Sequence, residues 1–486
     1  MRAADVRAIY ALDEGAIDAG TPSVELMMTA AKSAAEEAKK LILSVGGRSV
    51  AVYCGPGKNG GDGYAVAMIL KNLGFRVVAV RIAERMTAEA EYYREKFTEA
   101  GGADSDEIAQ TADVFVDAML GVGGRIELCG RFLEAAKWMN STCRPVLAID
   151  IPSGCSADHG DASEFAVNAT VTATFSAVKV GMMLSPTREK CGRIVVCDIG
   201  LDTSSLPEIE MIDRTVVNLP VRARNAHKGS FGKTVVIAGG LGYAGAAYFA
   251  AQAAVRAGSG LVELITPESV YLPTAAKLNE AMVRPVAADE DGMFSAEAAT
   301  LIENEIQSAS AVVIGPGIGK GNGARAVVKT VLSHAACPVV VDADALNIAA
   351  EAPEWLRGKA NLVLTPHPGE FFRLTGEKGV EDRLNSAKRA ASEFGCTVVL
   401  KGRATVVASG GKLYVNTTGN PGMARGGSGD VLAGIVGALL SQGMKPDSAA
   451  YTAVWIHGLA GDICAETIGE YGMTPSDMLD ALPAAM

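Results

Sequence analysis

GGSGDVLAGIVGALLSQG, residues 426–443, runs from a glycine-rich turn into an apolar helical stretch and carries one acid, Asp430, at the junction. Backbone N–H groups at a helix start point toward a bound anion, and glycines let a phosphate approach where a Cβ would clash. Asp430 cannot itself ligate phosphate, because two negative charges repel. A base that takes a proton from a hydroxyl, or a group that orients a metal, suits it better. The same pattern also fits a tight strand-to-helix turn whose acid simply answers the helix dipole. Either reading makes this the strand-to-helix junction of an α/β fold.

The rest of the second half agrees. KTVVIAGG (233–240), AVVIGPG (311–317), PVVVDAD (338–344), NLVLTP (361–366) and TVVLKG (397–402) read as buried strands separated by Ala-rich helical stretches. In the first half RSVAVYC (48–54), RVVAVRI (76–82), ADVFVDAML (112–120) and PVLAID (145–150) read the same way. Helices are expected over 22–44, 62–74 and 129–140. The class is α/β, with parallel sheets covered by helices and one sheet in each half. The rhythm lapses over 203–225, TSSLPEIEMIDRTVVNLPVRARN, so the expected domains are 1–215 and 220–486, closely packed for want of a long linker.

With 486 residues the chain is long enough for two cores. Mean hydropathy is +0.21, yet the apolar runs are broken by charges and glycines, so no membrane span is expected. The N-terminal MRAADVRAIYALDEG lacks the apolar core of a signal peptide. A soluble cytoplasmic protein follows as the expectation. A formal charge of −11 without a basic cluster argues against nucleic acid as the main partner, so a phosphate site must rely on backbone dipoles and a few placed lysines. Nine scattered cysteines without a CxxC pair, and five scattered histidines, indicate neither a disulfide framework nor a zinc site.

GPGKNGGDGY (55–64) follows the first strand, where doubly wound sheets bind ligands, and it is not the GxGxxG dinucleotide fingerprint. Asp117, Asp150 and Ser153 stand at further strand ends and reach the same rim if the sheet is parallel. Taken singly, each also fits a plain helix cap.

In order and spacing GPGKNGGDGY, VDAMLGVGG, DIPSG and TFSAVKVGM resemble the YjeF N-terminal domain family, Rossmann-like epimerases of hydrated NADH and NADPH. That resemblance implies a potassium ion among Asn59, Asp117 and Ser153. It also implies a substrate pocket lined by Lys58, Asn59, Gly60, Gly61, Asp62, Asp150 and the loop Gly121, Val122, Gly123, Gly124, Arg125, Ile126 and Glu127. Asp150 is the expected acid/base for inversion at nicotinamide C6, with Lys179 a second candidate set against a solvated surface lysine. Two departures stand out: Lys58 replaces a usual Asn, and LMMTAA (26–31) replaces an acidic LMExAG pattern. Some relatives of this domain serve as RNA-decapping scaffolds or lipoprotein-binding partners, so a binding module is the competing reading.

HKGSFGK, GYAGAAYFAAQAAVRAGSGLV, VVIGPGIG, VVDADALN, LTPHPGE, LKG and NPGMARGGSGDVLAG resemble the ribokinase-like ADP/ATP-dependent NAD(P)H-hydrate dehydratases, commonly fused behind that epimerase domain. The resemblance implies Asp430 as base, with N–H groups of Gly427, Ser428 and Gly429 on the transferring phosphoryl. Lys401, Gly402, Arg403, Ala404 and Thr405 would contact the nucleotide, and Ala246, Gly317, Gly319 and His367 the hydrate. ADP or ATP is the expected phosphoryl donor, with magnesium. The expected substrates are the NADH and NADPH hydrates, and the expected state a homo-oligomer. The competing reading is a ribokinase-like vitamin or sugar kinase.

Overall fold

The computed structural model describes residues 2–184, 186–377 and 383–486, which form two compact units dividing between Glu208 and Ile209.

In the first unit the β-branched runs form strands β1 (Ser49–Cys54), β2 (Arg76–Arg81), β3 (Ala103–Ser105), β4 (Val114–Ala118), β5 (Val146–Ile149), β6 (Val171–Phe175) and β7 (Arg193–Cys197). They make one parallel sheet in the order β3-β2-β1-β4-β5-β6-β7. Alternate residues of β1 serve opposite faces. Val50 and Val52 pack with the helices Ser23–Ser44 and Lys58–Asn72, and Ala51 and Tyr53 pack with Gly130–Ser141. A sheet buried on both faces explains why its strands read as continuous apolar runs.

Most of GPGKNGGDGY (55–64) is helical: the helix begins at Lys58, behind Gly57 as N-cap, four residues before the expected start at 62. The cause is close packing. A Cβ on Gly60 would run into the Gly55 carbonyl, so the glycines let the helix start directly against the end of β1.

The second unit holds β8 (Ile209–Ile212), β9 (Lys233–Ile237), β10 (Leu261–Pro267), β11 (Met282–Val286), β12 (Ala311–Ile314), β13 (Val339–Val341), β14 (Leu362–Leu364), β15 (Thr397–Leu400), β16 (Val406–Ser409) and β17 (Lys412–Asn416). Their order is β8-β17-β16-β15-β14-β13-β12-β9-β10-β11. All pairs are parallel except those of β16, which is antiparallel to both its neighbours. The helices Ala244–Arg256, Ser428–Ser441 and Pro446–Thr467 share one alanine-rich core with Val236, Val313 and Val340 of the sheet. Small residues set the spacing: a Cβ on Gly434 would collide with the Ala250 carbonyl.

The segment 203–225 does not lapse entirely. Residues 209–212, assigned by sequence to the first domain, form β8, and this strand pairs in parallel with β17 of the second sheet. Its short IEMI run buries only Ile209 and Ile212, three positions apart, which shows no period-2 alternation to stand out beside the polar residues around it.

Candidate active sites

In the first unit the strand order reverses between β1 and β4, the crevice where doubly wound sheets bind ligands. A cavity of ≈ 460 Å³ opens there, lined among others by Lys58, Asn59, Asp62, Gly121, Val122, Gly123, Gly124, Asp150 and Lys179. Gly60 and Gly61 lie outside that lining, buried in the helix turn. Arg125, Ile126 and Glu127 also lie outside it, farther along the loop.

Asp150 is the best-anchored acid in the cavity. Its Oδ1 lies 2.5 Å from Lys179 Nζ and its Oδ2 accepts a hydrogen bond from Val122 N–H at 3.3 Å. Its backbone sits at φ 69°, a strained conformation for a side-chain-bearing residue that costs about 1–3 kcal/mol and clusters at functional sites. Lys179 is no surface lysine: it is fully buried and also donates to Thr174 Oγ1 (2.8 Å) and to the Phe175 carbonyl (3.2 Å). A VKVGM context gives no sequence signal of that burial. Burial, with the Asp150 and Asp13 carboxylates nearby, pushes the Asp62 carboxyl well above its ordinary range.

Below these groups, Asp117 is fully buried and interlocked with Ser153. It accepts from Ser153 Oγ (2.6 Å), Ser153 N–H (2.8 Å) and Met119 N–H (3.2 Å), and burial raises it to about 6. Leu120 N–H donates to Ser153 Oγ at 3.0 Å, and Gly121 faces the Asn59 side chain, so the loop 119–121 ties the three residues together. Both polar atoms of the Asn59 amide are buried without a partner. An orphaned buried carbonyl oxygen, and acceptor capacity left over on the Asp117 carboxylate, are oxygen donors of the kind a hard cation takes.

Sequence reasoning missed the helix Val6–Asp18, which brings Tyr10 and Asp13 to the same cavity. Leu26, Met27 and Ala30 of the divergent LMMTAA stretch also line it, giving an apolar wall.

In the second unit the reversal falls between β9 and β12, and GPGIG follows β12. Gly317 lies against Tyr243 and Ala246, and Gly319 N–H donates to Asp344 Oδ2 at 3.0 Å. From the other side Lys401, just past β15, extends to Asp342 Oδ1 (2.6 Å) and lies 3.7 Å from Glu370 Oε2. Burial works against the Lys401 charge, and the Asp342 and Glu370 carboxylates more than offset it. Gly429 stands at this cation: a Cβ there would sit 3.5 Å from Lys401 Nζ and 3.9 Å from Asp342 Oδ2.

Asp430, in the first turn of Ser428–Ser441, is raised to about 7 by burial and by Asp342, with Lys401 pulling the other way. Glu370 is likewise raised to about 7, chiefly by burial. Carboxylates held near neutrality are suited to proton transfer. Neither Asp342 nor Glu370 was picked out from the sequence. Asp342 directly follows β13, a position that carries some signal, whereas Glu370 lies in the first turn of the helix Pro368–Thr375, where an acid reads as a plain cap.

Three expected contacts take a different form. Ser428 N–H already donates to the Arg425 carbonyl (3.3 Å), whereas Gly427 N–H and Gly429 N–H have no acceptor among the described residues. Ser428 Oγ is buried without a partner and faces the same need. The Thr405 hydroxyl closes its own loop on the Gly402 carbonyl (2.9 Å), with Arg403 exposed and Ala404 at φ 48° between them. His367 caps the helix Pro368–Thr375: its Nδ1 accepts from Gly369 N–H (3.0 Å), and burial and Lys401 lower its pKa. Its Nε2 remains half-exposed, 3.3 Å from Glu370 Oε1.

Comparison with known proteins accounts for both units. Residues 234–484 match the family model described as NAD(P)H-hydrate dehydratase, and residues 23–181 match that of the YjeF-related protein N-terminus. The chain is 36% identical to the bifunctional NAD(P)H-hydrate repair enzyme Nnr of Moorella thermoacetica, over 95% of this chain and 92% of that protein. It is 35% identical to the enzyme of the same name from Escherichia coli, over 95% and 89%. Among solved structures, a ribokinase-like superfamily protein of Enterococcus faecalis superposes with a TM-score of 0.52 at 30% identity, covering 57% of this chain and 94% of that one.

Proposed function

The chain belongs to the NAD(P)H-hydrate dehydratase family in its two-domain, bifunctional repair form, and on that footing we propose how its residues divide the work. The first unit interconverts the R and S hydrates of NADH and NADPH, and the second dehydrates the S form at the expense of ADP or ATP. The pairing is chemically economical, because a stereospecific dehydratase alone would strand half of its damaged substrate.

In the second unit the hydrate hydroxyl at C6 attacks the terminal phosphoryl of the nucleotide as Asp430 takes its proton. Gly429 N–H and the Lys401 ammonium stand where charge develops on that phosphoryl, and the unpartnered Ser428 Oγ adds a donor. The C6–O bond of the phosphate ester so formed then breaks with its electron pair on oxygen. Loss of the C5 proton restores the C5–C6 double bond, so NAD(P)H, phosphate and the shortened nucleotide leave. Magnesium bound to the nucleotide phosphates would offset their charge. Gly317, Gly319, Ala246 and His367 hold the hydrate, and the 401–405 loop the nucleotide. The reading rests on one observation above all: a half-buried acid raised to about 7 stands in the helix turn whose glycine abuts Lys401.

In the first unit Asp150, fixed by Lys179 and Val122 N–H, is the acid/base for inversion at C6. A potassium ion held by Asn59, Asp117 and Ser153 would supply positive charge toward the substrate phosphates. The deciding assay gives the purified protein NADH hydrate with ADP or with ATP. NADH absorbance recovered together with inorganic phosphate is the expected result. A stable phosphorylated product would make the second unit a kinase instead.

A further inference from the structure

We propose that His457 is a positioning residue for dehydration, holding the Ser428–Gly429 peptide so that its N–H faces the transferring phosphoryl. This inference rests on the phosphoryl-transfer role proposed above for the second unit. His457 lies on the helix Pro446–Thr467, is buried, and places Nε2 2.8 Å from the Ser428 carbonyl. A carbonyl only accepts, so Nε2 carries the proton and donates. Burial drives the imidazole pKa down to about 4, which keeps this donor neutral across the working pH range.

The Ser428 carbonyl and the Gly429 N–H belong to the same peptide plane. A donor on the carbonyl draws charge from the amide, strengthens the N–H as a donor and fixes the plane's tilt. That N–H has no acceptor among the described residues, as is also true of Gly427 N–H, whereas Ser428 N–H is taken by the Arg425 carbonyl; of the two free cradle donors only Gly429 N–H shares a peptide plane with the carbonyl that His457 holds. The same helix grips the approach to the cradle as well. The Trp455 carbonyl accepts from Thr418 Oγ1 (2.9 Å), and the Asp462 carboxylate accepts from Gly419 N–H (2.9 Å) and Asn420 Nδ2 (3.0 Å). One helix thus sets the path of 418–420 and the orientation of the peptide at 428–429.

A merely space-filling histidine and a peptide-orienting one differ in their response to substitution. Gln places an amide N–H where Nε2 stood. Asn is too short to reach that position, and Leu fills space without donating. With ADP saturating, His457→Leu should lower dehydration kcat by about 5- to 30-fold, less than the roughly 10²–10³ expected for deleting an anion-hole donor outright. KM for the hydrate should stay within about twofold, and His457→Gln should recover most of the loss. Melting temperature and circular dichroism of each variant confirm that it is folded. If His457→Leu does not fold, His457→Asn against His457→Gln carries the same contrast. Equal kcat in the folded Gln and Asn variants, or a loss in His457→Leu that falls on KM alone, would overturn the assignment. Wild-type kcat in His457→Leu would also overturn it, while inactivity of the wild-type protein toward hydrate with any nucleotide would strike at the underlying function instead.

Discussion

Replacing Asp430 by Asn should make the enzyme inactive and more stable at once. The side-chain volume is kept, but the amide cannot accept the hydroxyl proton, so kcat for dehydration should fall by about 10²–10⁴. The stability gain comes from the environment that prepares the acid. Burial and Asp342 raise the Asp430 pKa from 3.8 to about 7, so the folded state binds a proton that the unfolded state releases. Between roughly pH 4 and 7 the native protein therefore holds more protons, and its stability falls as pH rises through that window. Above it the accumulated cost is at most ~4 kcal/mol, and less because the carboxyl keeps some contact with water. The amide of the variant carries no such charge. Urea unfolding of wild type and Asp430→Asn at pH 8 and pH 5 should show the variant ahead at pH 8 and the gap narrowing at pH 5. A gap independent of pH would refute the buried-carboxylate argument, and near-wild-type dehydration would remove the base role.

Lys179→Met should destabilise the first unit by about 3–5 kcal/mol, because it leaves the Asp150 carboxylate buried without its counter-charge, and adding Asp150→Asn should restore much of the loss in thermal unfolding. Exchanging potassium for a large organic cation, or making Asp117→Ala, should weaken hydrate binding in epimerisation, and unchanged epimerisation in both tests would remove the metal assignment. A fragment beginning at Ile209 should dehydrate the S hydrate and leave the R form behind. One beginning at Val221 should melt at a lower temperature, since it lacks β8 and bares the edge of β17.

The α/β class and most central strands were legible because β-branched runs such as VVIGPG and VVVDAD permit little else. Short strands at the sheet margins, Ala103–Ser105 and Ile209–Ile212, were not, since the first buries no residue fully and the second only two, which gives no periodicity to read. At the candidate sites, glycine and acid positions in fixed motifs pointed to strand ends that lie at the points where the strand order reverses. What stayed hidden was chemistry that depends on three-dimensional company: Lys179 resembles any surface lysine until its burial is known, and Asp342 and Glu370 acquire meaning only through Lys401. Tyr10 and Asp13 lie on a helix whose sequence carries no motif at all.

The pairing of β8 with β17 also sets a timetable for synthesis. Ile209 faces Leu413, so about 200 residues must follow this strand before its partner exists. At roughly 5–20 residues per second that interval is about 10–40 s, during which the first unit is complete and free to fold while β8 waits without its ladder. The most distant parallel contact in the second sheet is thus also among its last to form, and such contacts repay their loop-closure entropy late. A chain that stops short of β17 carries a finished first unit followed by an open strand, and the closing of that edge marks the second sheet as complete.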